Sequence, residues 1–456
     1  MNDKYLGVGR AGDLEGRDKI IYRLFEILPG LLSWLTLIGI FLGSWFFTFG
    51  AAISIIIFDL YWLVKTIYLS THLRANWKKL RRNKEVDWTE KLNNFKYNHL
   101  WQMVLLPFYR EETGIIFATM ETLIGAKYNK KKMIIVLAYE ERAGENAEKI
   151  AQEVEKKYQD KFAHFLTVKH PQNLPGEMAG KGSNCAYAVE EARKKILDVR
   201  NINYEDVLIS TFDIDTRVYP QYFSCLTWHF LTCENPYCSS FQPVPVYNNN
   251  IWEAPAFSRV VATSGTFWQM IQQERPEQLA TFSSHSMSFK TLYEVGYWQK
   301  NIVSEDSRIF WNCWLYFKGD YRVIPLSYPV SMDANLALTF WHTAKNVYKQ
   351  QRRWFWGTAE NTAYVFFGCL RNKKIVLRKK LRRTLVKFEG AWSSATNPLI
   401  IFFLGWLPLI LGGDVFNETL LSYNLPRVTR NIMTLAMTGL FVSAIISTTL
   451  LPPLPA

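Results

Sequence analysis

Hydrophobic positions along this chain follow two patterns, long uninterrupted runs near both ends and shorter runs between them. The long runs cover residues 28–49, 51–70, 395–413 and 431–451. Each approaches the roughly 20 apolar residues that cross a bilayer as a helix. The first two are separated by a single residue and are predicted to form a transmembrane hairpin. The pattern therefore predicts about four transmembrane helices.

Between the long runs, buried strand patterns alternate with amphipathic helix patterns. Such alternation predicts an α/β domain, with a mostly parallel sheet covered by helices on both faces. In sheets of this kind, ligands bind at the carboxyl ends of the strands. The predicted strands are residues 101–107, 133–139, 162–168 and 207–211, and the predicted helices are residues 115–127, 145–158, 184–199 and 307–317.

The stretch at residues 341–390 has a third pattern. An amphipathic helix is predicted to start near Trp341, and an apolar stripe follows on a strongly basic background. A helix of this kind lies in the plane of the membrane interface. The stripe consists of Leu377, Leu381, Leu385 and Phe388.

Charge gives this arrangement an orientation. The 456 residues carry a net charge of +13, with basic clusters at residues 74–84 and 371–387 beside the apolar runs. Polybasic segments next to spans bind anionic headgroups and mark the cytoplasmic side. Membrane contact is therefore favoured and nucleic-acid binding is not expected. We predict a multi-pass protein of the inner (plasma) membrane, with residues 71–390 in the cytosol and residues 413–430 outside.

Two ionisable residues lie inside the second apolar run. Asp59 and Lys65 occupy positions where charged side chains are rare and often functional. A satisfied polar contact between packed helices explains them equally well. The sequence leaves both interpretations open.

Two carboxylates follow the strand predicted at residues 207–211. Asp213 and Asp215 are separated by one residue, and strand side chains alternate, so both are expected on one face. Two hard oxygen ligands suit Mg²⁺ or Mn²⁺, which can hold the phosphates of a nucleotide donor. Alone, the motif is equally consistent with a turn or a helix cap.

Two more motifs follow the Asp-x-Asp pair. They are Ser304-Glu305-Asp306 and Gln350-Gln351-Arg352-Arg353-Trp354. In this order the three motifs resemble the processive branch of the family 2 glycosyltransferases, which includes cellulose, chitin and hyaluronan synthases. The resemblance runs from about residue 100 to residue 356. It implies a Rossmann-like nucleotide-sugar domain of the GT-A type. It also implies inverting transfer from a nucleotide-sugar, most simply a UDP-sugar, to a growing β-linked polysaccharide.

The resemblance also implies roles for individual residues. Asp306, beside Glu305, would be the general base, and Asp213 and Asp215 would hold Mg²⁺ or Mn²⁺. An N-terminal helix cap is a second explanation for Glu305 and Asp306, and the two are compatible. His285 lies where the family forms its acceptor pocket, although a neutral buried histidine is equally consistent. The donor or acceptor is expected to contact Pro107, Tyr109, Glu111, Glu140 (or Glu141), Lys181, Gln350, Arg353 and Trp354.

The resemblance and the apolar runs together divide the chain. Four spans are few for a polymer channel, so we expect either that the sequence is truncated or that a second copy or a partner subunit supplies further spans. The predicted parts are a cytosolic segment (1–27), a transmembrane hairpin (28–70), a basic juxtamembrane linker (71–99), a catalytic domain (100–340), interfacial helices with the Gln-x-x-Arg-Trp motif (341–390), and spans at 395–413 and 431–451.

Two other functions are weighed against polymer synthesis. The first is transfer of one sugar to a lipid acceptor such as polyprenyl phosphate or diacylglycerol. The Gln-x-x-Arg-Trp motif argues against it. The second is a catalytically silent membrane subunit that binds a nucleotide-sugar. The presence of Asp213, Asp306 and Arg353 argues against that function.

Overall fold

The strands of the protein form one central sheet. A computed structural model describes residues 5–453, apart from the side chain at position 447, so residues 1–4 of the predicted N-terminal segment lie outside the described residues. Eight strands are present in this part of the chain. They are β1 (Trp101–Phe108), β2 (Met133–Glu140), β3 (His164–His170), β4 (Val207–Thr211), β5 (Arg217–Val218), β6 (Ser239–Tyr247), β7 (Ser286–Ser288) and β8 (Arg322–Met332).

The sheet is mostly parallel, and its order is β3-β2-β1-β4-β7-β6-β8-β5. β1 is parallel to both β2 and β4, and β2 is parallel to β3. β7 runs antiparallel to β4 and β6, whereas β6 and β8 are parallel. The predicted α/β fold class is therefore confirmed.

Helices cover both faces of the sheet, and others extend away from it. Those next to the sheet are α3 (Trp88–Leu92), α4 (Thr113–Gly125), α5 (Glu145–Tyr158), α6 (Lys181–Ala192), α7 (Tyr222–Thr232), α8 (Ala256–Gln273), α9 (Phe289–Glu294) and α10 (Glu305–Tyr316). The others are α1 (Gly16–Phe46), α2 (Thr48–Glu85), α11 (Phe340–Arg371), α12 (Leu377–Phe402), α13 (Leu407–Leu411), α14 (Gly413–Asn417) and α15 (Leu420–Thr448).

Alternating side chains of the central strands build two separate cores. Val104 and Leu106 of β1 point to one face, where they join Met120 and the other buried residues of α4. Met103 and Leu105 point to the opposite face and join residues of α6 and α10. Because both faces are covered, these strands are apolar along their whole length.

Several predicted boundaries differ from the structure. β3 begins two residues later than predicted, at His164. α6 begins at Lys181 and gives way to a π-helical turn, Arg193–Leu197, where a regular helix to residue 199 was predicted. α10 begins at Glu305, and the Ser304 side chain makes no capping hydrogen bond. Helix ends depend on tertiary contacts that the local pattern does not contain.

Several helices have the length and composition of membrane spans. In the described part of the chain, α1, α2 and α15 qualify individually. α12 and residues 404–411 qualify as a pair bent by 52°, which gives three spans or up to four. These helices agree with the predicted number. α1 begins well before residue 28, at Gly16.

α2 extends from a candidate span into contact with the sheet domain. It continues through residues 71–85 as an unbroken helix, because no glycine or proline interrupts it. Leu73 and Leu80 pack against Val244, Val246 and Met270. α15 lies beside α2, and Trp77 Nε1 donates a 2.8 Å hydrogen bond to Thr449 Oγ1.

Lys65 of α2 has a partner on another helix. Its ammonium pairs with Glu389 of α12, which also accepts a 3.0 Å hydrogen bond from Tyr61. Asp59 is buried, and its Oδ2 has no hydrogen-bond partner among the described residues. The contact of Lys65 supports the helix-packing interpretation of that residue.

Candidate active site

Two strand ends and two helix starts meet at the centre of the sheet. β1 and β4 are neighbours, but the chain continues from them to opposite sides of the sheet. Such a switch in strand order opens a crevice at the carboxyl ends of the strands. Asp213 follows β4, while α6 begins with Lys181 and α10 begins with Glu305. The predicted motifs therefore converge on this crevice.

Lys181 links the motifs directly. Its Nζ lies 2.6 Å from Asp213 Oδ1 and 2.8 Å from Asp306 Oδ2. Glu305 Oε1 is 3.9 Å away. The structure thus joins the Asp-x-Asp motif, the Ser-Glu-Asp motif and the glycine-rich segment at residues 176–184 through one ammonium group.

The Asp-x-Asp motif lies on a turn after β4, whereas the sequence predicts that it shares a strand face. β4 ends at Thr211, and the Thr216 amide donates a 2.9 Å hydrogen bond to the Asp213 carbonyl. Burial still alternates, because Phe212 and Ile214 enter the core while Asp213 and Asp215 are partly exposed. The apolar residues of the turn therefore keep both carboxylates on the side of the crevice.

Asp213 is held on both oxygens. Its Oδ2 accepts a 2.6 Å hydrogen bond from Ser283 Oγ, and Lys181 occupies Oδ1. Desolvation raises the pKa of Asp213, but Lys181 and Ser283 outweigh it, so the net pKa is lowered. Desolvation likewise lowers the pKa of Lys181, and Asp213 and Asp306 raise it well above its usual value. Both groups are therefore charged in the ligand-free protein.

Asp215 has a different environment. Its Oδ2 accepts a 3.0 Å hydrogen bond from the Asp333 amide, and Asn249 Nδ2 donates to both the Asp215 carbonyl and Asp333 Oδ1. Desolvation and the neighbouring carboxylates of Asp213 and Asp333 raise the pKa of Asp215 to about 8. Asp333 and Asn249 were not predicted, because nothing local distinguishes them from loop residues.

The two oxygens of Asp306 have different environments. Oδ2 is bound to Lys181, whereas Oδ1 is buried without a hydrogen-bond partner among the described residues. Thr281 Oγ1 fixes the first turn of α10 by donating a 2.5 Å hydrogen bond to the Asp306 carbonyl. The adjacent Glu305 is buried, and desolvation and repulsion from Asp306 raise its pKa to about 8.

His285 is buried below Asp306. Its Nδ1 lies 2.9 Å from the Phe282 carbonyl and 4.0 Å from Asp306 Oδ1. Desolvation lowers the pKa of the imidazole. This environment agrees with the neutral buried histidine, the second interpretation of this residue.

The glycine at position 182 allows α6 to approach α10. A Cβ at this position would lie 2.8 Å from the Gln299 carbonyl oxygen and 3.0 Å from Glu305 Cβ. Any larger side chain would push Lys181 away from Asp306. This part of the glycine-rich segment is therefore explained by helix contact.

Tyr109 and Glu140 come together at the ends of β1 and β2. The Tyr109 ring lies 4.5 Å from the Arg142 guanidinium, which also binds both oxygens of Glu140. Glu111 accepts hydrogen bonds from the backbone amides of Tyr109 and Arg110, so it shapes the turn.

Two neighbouring positions are less suited to contact a ligand. Glu141 accepts a 3.0 Å hydrogen bond from the Gln172 amide. Glu140, in contrast, shares Arg142 with Tyr109. Pro107 is buried within β1, opposite Ala138.

The Gln-x-x-Arg-Trp motif lies on α11, which passes beside the crevice. The Trp354 ring packs edge-on against Phe282, with 6.1 Å between the ring centroids. Arg353 is exposed, and its charge acts on Asp213. Gln350 is half-buried one helical turn earlier.

An arginine absent from the sequence prediction joins the elements around the site. Arg308 of α10 is fully buried and donates to Asn361 of α11, to the Val8 carbonyl and to Gln299. Its guanidinium also stacks on Tyr364 at 4.0 Å. An arginine followed directly by Ile309, Phe310 and Trp311 in a helix is the signal that could have identified it.

Comparison with known protein families gives a match that includes these motifs. The sequence model described as "Glycosyl transferase family group 2" matches residues 208–450, more than half of the chain. The protein belongs to this family. The matched range contains the Asp-x-Asp, Ser-Glu-Asp and Gln-x-x-Arg-Trp motifs, while Lys181 and Tyr109 precede it.

Solved structures show a weaker likeness. The mannosyltransferase PcManGT from Pyrobaculum calidifontis, in complex with GDP-Man and Mn²⁺, is 12% identical with a TM-score of 0.40, covering 83% of this chain and 99% of that chain. S. aureus TarS 1–349 in complex with UDP is 9% identical with a TM-score of 0.40, covering 74% and 91%. No function is transferred at these levels of similarity. No curated protein sequence matches the chain.

Proposed function

We propose that the protein is a membrane-embedded, inverting glycosyltransferase that adds sugar from a nucleotide donor, most simply a UDP-sugar, to a growing β-linked polysaccharide. The contact of Lys181 with both Asp213 and Asp306 carries the proposal. It brings the donor motif and the expected base to one ammonium group. Family membership supports sugar transfer as the reaction type.

The residues at the crevice fit a divalent cation. Asp213 and Asp215 would hold Mg²⁺ or Mn²⁺, and no cation other than Lys181 neutralises this pair through a described ion pair. The described residues contain no cluster of three or more His, Cys, Asp or Glu that could hold a metal. Mg²⁺ is commonly held by one or two carboxylates, with donor phosphates and water completing its shell. When bound, the ion would supply Lewis-acid stabilisation of the departing nucleoside diphosphate.

Asp306 is suited to remove the acceptor proton. Inverting transfer requires a base that accepts the proton of the attacking hydroxyl. The Asp306 side chain is 22% exposed at the crevice, and its Oδ1 has no hydrogen-bond partner among the described residues. Lys181 keeps the opposite oxygen occupied and holds the carboxylate in place.

Positively charged groups would bind the donor. Lys181 lies at the start of α6 and Arg353 lies on α11, and both act electrostatically on Asp213. Phosphate oxygens entering the crevice would be bound by these two side chains. Tyr109 and Glu140 at the ends of β1 and β2 would contact the nucleobase and the ribose of the donor.

The growing polysaccharide would leave the crevice on the side of the domain that faces the membrane. Trp354 offers a flat face for a sugar ring beside Phe282. We propose that residues 100–340 are the cytosolic catalytic domain and that residues 341–390 lie at the interface. The candidate spans are few for a channel, so a second copy or another subunit would contribute the remaining helices.

Product analysis tests this function. Detergent-purified protein is supplied with a panel of nucleotide-sugars, and nucleoside diphosphate release and product length are measured. We expect release with one donor and a polymeric product. A single-sugar lipid product would replace the proposal with lipid glycosylation. No release with any donor would favour the silent subunit.

The metal assignment is tested in the same assay. Asp213→Asn and Asp215→Asn should each abolish transfer and metal-dependent donor binding while the protein stays folded by circular dichroism. Full activity in excess chelator would contradict the metal requirement.

A further inference from the structure

Two cations of α12 face the sheet domain without an anionic partner. Arg383 is 9% exposed, and its guanidinium makes no hydrogen bond or ion pair among the described residues. It lies over the rings of Phe310 and Trp311, at 5.2 and 5.7 Å. Lys387, one helical turn later, has its Nζ 4.7 Å from the Trp311 ring. Like charges spaced four residues apart on a helix repel each other.

A third cation, which is buried, lies close enough to this pair to add to the local positive potential. Arg308 also acts electrostatically on Lys387, and its own hydrogen bonds go to neutral groups. Glu277 acts electrostatically on Arg383, but it is already paired with Arg382 at 3.5 Å. Buried cations normally have a counter-charge, because desolvating an unpaired charge is unfavourable. Aromatic rings offset part of this effect, but they leave the net charge in place.

An apolar groove begins one helical turn beyond Lys387 on α12, and neither cation lines it. Ala391 and Ser394 follow Lys387 at helical spacing and line a groove of about 370 Å³ between α1, α11 and α12. Trp34, Phe355 and Leu399 form much of its wall. The groove points toward the part of α12 that joins the candidate span. The two cations therefore lie toward the start of α12, and the apolar groove lies toward its end.

We infer that Arg383 and Lys387 bind the phosphate of an anionic phospholipid whose hydrocarbon chain lies in the groove between α1, α11 and α12. Basic pockets between spans on the cytoplasmic side are suited to such headgroups. The order of cations and groove along α12 agrees with the predicted topology. The cations lie in the basic cluster at residues 371–387, and the groove lies farther along the helix, toward the candidate span. Neither cation contacts Lys181, Asp213 or Asp306 through a described bond, so the inference does not rest on the proposed transfer reaction.

Native mass spectrometry of the detergent-purified protein tests this site with phosphatidylglycerol and phosphatidylcholine of equal chain length. The wild-type protein should retain phosphatidylglycerol in preference. In Arg383→Gln/Lys387→Gln, retention should weaken by about ten-fold or more, because two headgroup cations are lost. Lys373→Gln/Arg378→Gln is the matched control. It removes two exposed charges from the same basic cluster and should change retention by less than about two-fold.

Two further variants keep the test decisive if the double variant is unstable. Lys387 is partly exposed, so Lys387→Gln alone should fold and show a smaller loss in the same direction. Ala391→Leu fills the groove without changing charge, and it should weaken retention of long-chain lipid.

Three results would overturn the inference. One is unchanged retention in both cation variants. Another is an equal loss in the Lys373/Arg378 control, which would indicate general surface attraction. The third is binding of inorganic phosphate that requires Arg383 and Lys387 and is unaffected by Ala391→Leu, without lipid retention. That result would assign the site to free phosphate.

Discussion

Gly357 lies directly against the side chain of Ser304. A Cβ at position 357 would be 2.7 Å from Ser304 Cβ, and one turn further along α11 Glu360 accepts a 2.7 Å hydrogen bond from Ser304 Oγ. Ser304 precedes Glu305 and Asp306, and Gly357 follows Trp354 by three residues. The missing side chain therefore brings the Ser-Glu-Asp motif and the Gln-x-x-Arg-Trp motif together.

Gly357→Ala should separate α10 from α11. The added methyl group has no space, and overpacking of this kind destabilises proteins by about 1–3 kcal/mol. Because Asp306 and Trp354 would move apart, nucleoside diphosphate release should also fall. Thermal unfolding and the release assay measure the two effects.

Gly390→Ala is the matched control for this change. Gly390 lies within α12 and has no atom within 4 Å of an added Cβ. Alanine there should stabilise the helix by up to about 1 kcal/mol. Equal losses in both variants would show that the Ser304 contact is not the cause.

Asp306→Asn should separate binding from turnover. The amide keeps the shape of the side chain but cannot accept the acceptor proton. Donor affinity should stay within a few-fold, while turnover falls by roughly 10²–10⁴. Glu305→Gln is the neighbouring control. Its carboxyl has a pKa of about 8 and is mostly protonated at neutral pH, so turnover should change little. Loss of donor binding in Asp306→Asn would identify a structural residue instead.

Glu305 should make the ligand-free protein less stable at alkaline pH. Its pKa is raised from 4.5 in the unfolded chain to about 8 in the folded protein. A group with a raised folded pKa contributes stability that is complete below its unfolded value and is lost as the pH rises through its folded value. The unfolding midpoint should therefore decrease as the pH rises from about 4.5 to about 8. Glu305→Gln should reduce this slope, and an unchanged slope would assign it to other groups.

Trp354→Ala should weaken use of the acceptor. Stacking on an aromatic ring contributes about 1–3 kcal/mol, so the acceptor KM should rise by tens of fold while donor binding is retained. Products should also become shorter. Trp356→Ala is the control, because Trp356 is 64% exposed and residues two apart face different directions. Similar losses in both variants would argue for a membrane-anchoring role of both tryptophans.

Cysteine labelling from outside intact cells tests the topology. Glu418→Cys lies in the loop predicted to be external, whereas Lys373→Cys lies in a basic cluster, and both positions are exposed. An impermeant maleimide should reach position 418 only, and position 373 should react after permeabilisation. Labelling of position 373 in intact cells would contradict the cytosolic placement.

Local patterns predicted the first half of the sheet well. β4 and α5 have the predicted bounds, since each has a dense hydrophobic pattern. β6 was not predicted, because Pro243 and Pro245 suggest that no strand is present. In the structure, the pairing of β6 with β8 is irregular between Gln242 and Val244, which accommodates Pro243. β7 has three residues and is too short to show a pattern.

The candidate site was predicted less completely. The order of the motifs predicts that Asp213, Asp306 and Trp354 belong to one site, and each of them lies at or beside the crevice. The sequence does not show that Lys181 occupies the space between the two carboxylates, because this contact depends on the packing of α6 against α10 at Gly182. Arg308 and Asp333 were missed for the same reason. Their partners lie on elements distant in sequence.

The unbroken course of α2 has a consequence for dissecting the protein. Its half that resembles a membrane span and its half that packs on β6 and α8 are one rigid rod, without a hinge between them. A fragment that begins after α2 would leave Val244, Val246 and Met270 facing water, and an exposed apolar patch of this kind promotes aggregation. The sheet and the second helix therefore share a hydrophobic core, and under the proposed membrane topology the length of that helix would set the height of the crevice relative to the bilayer.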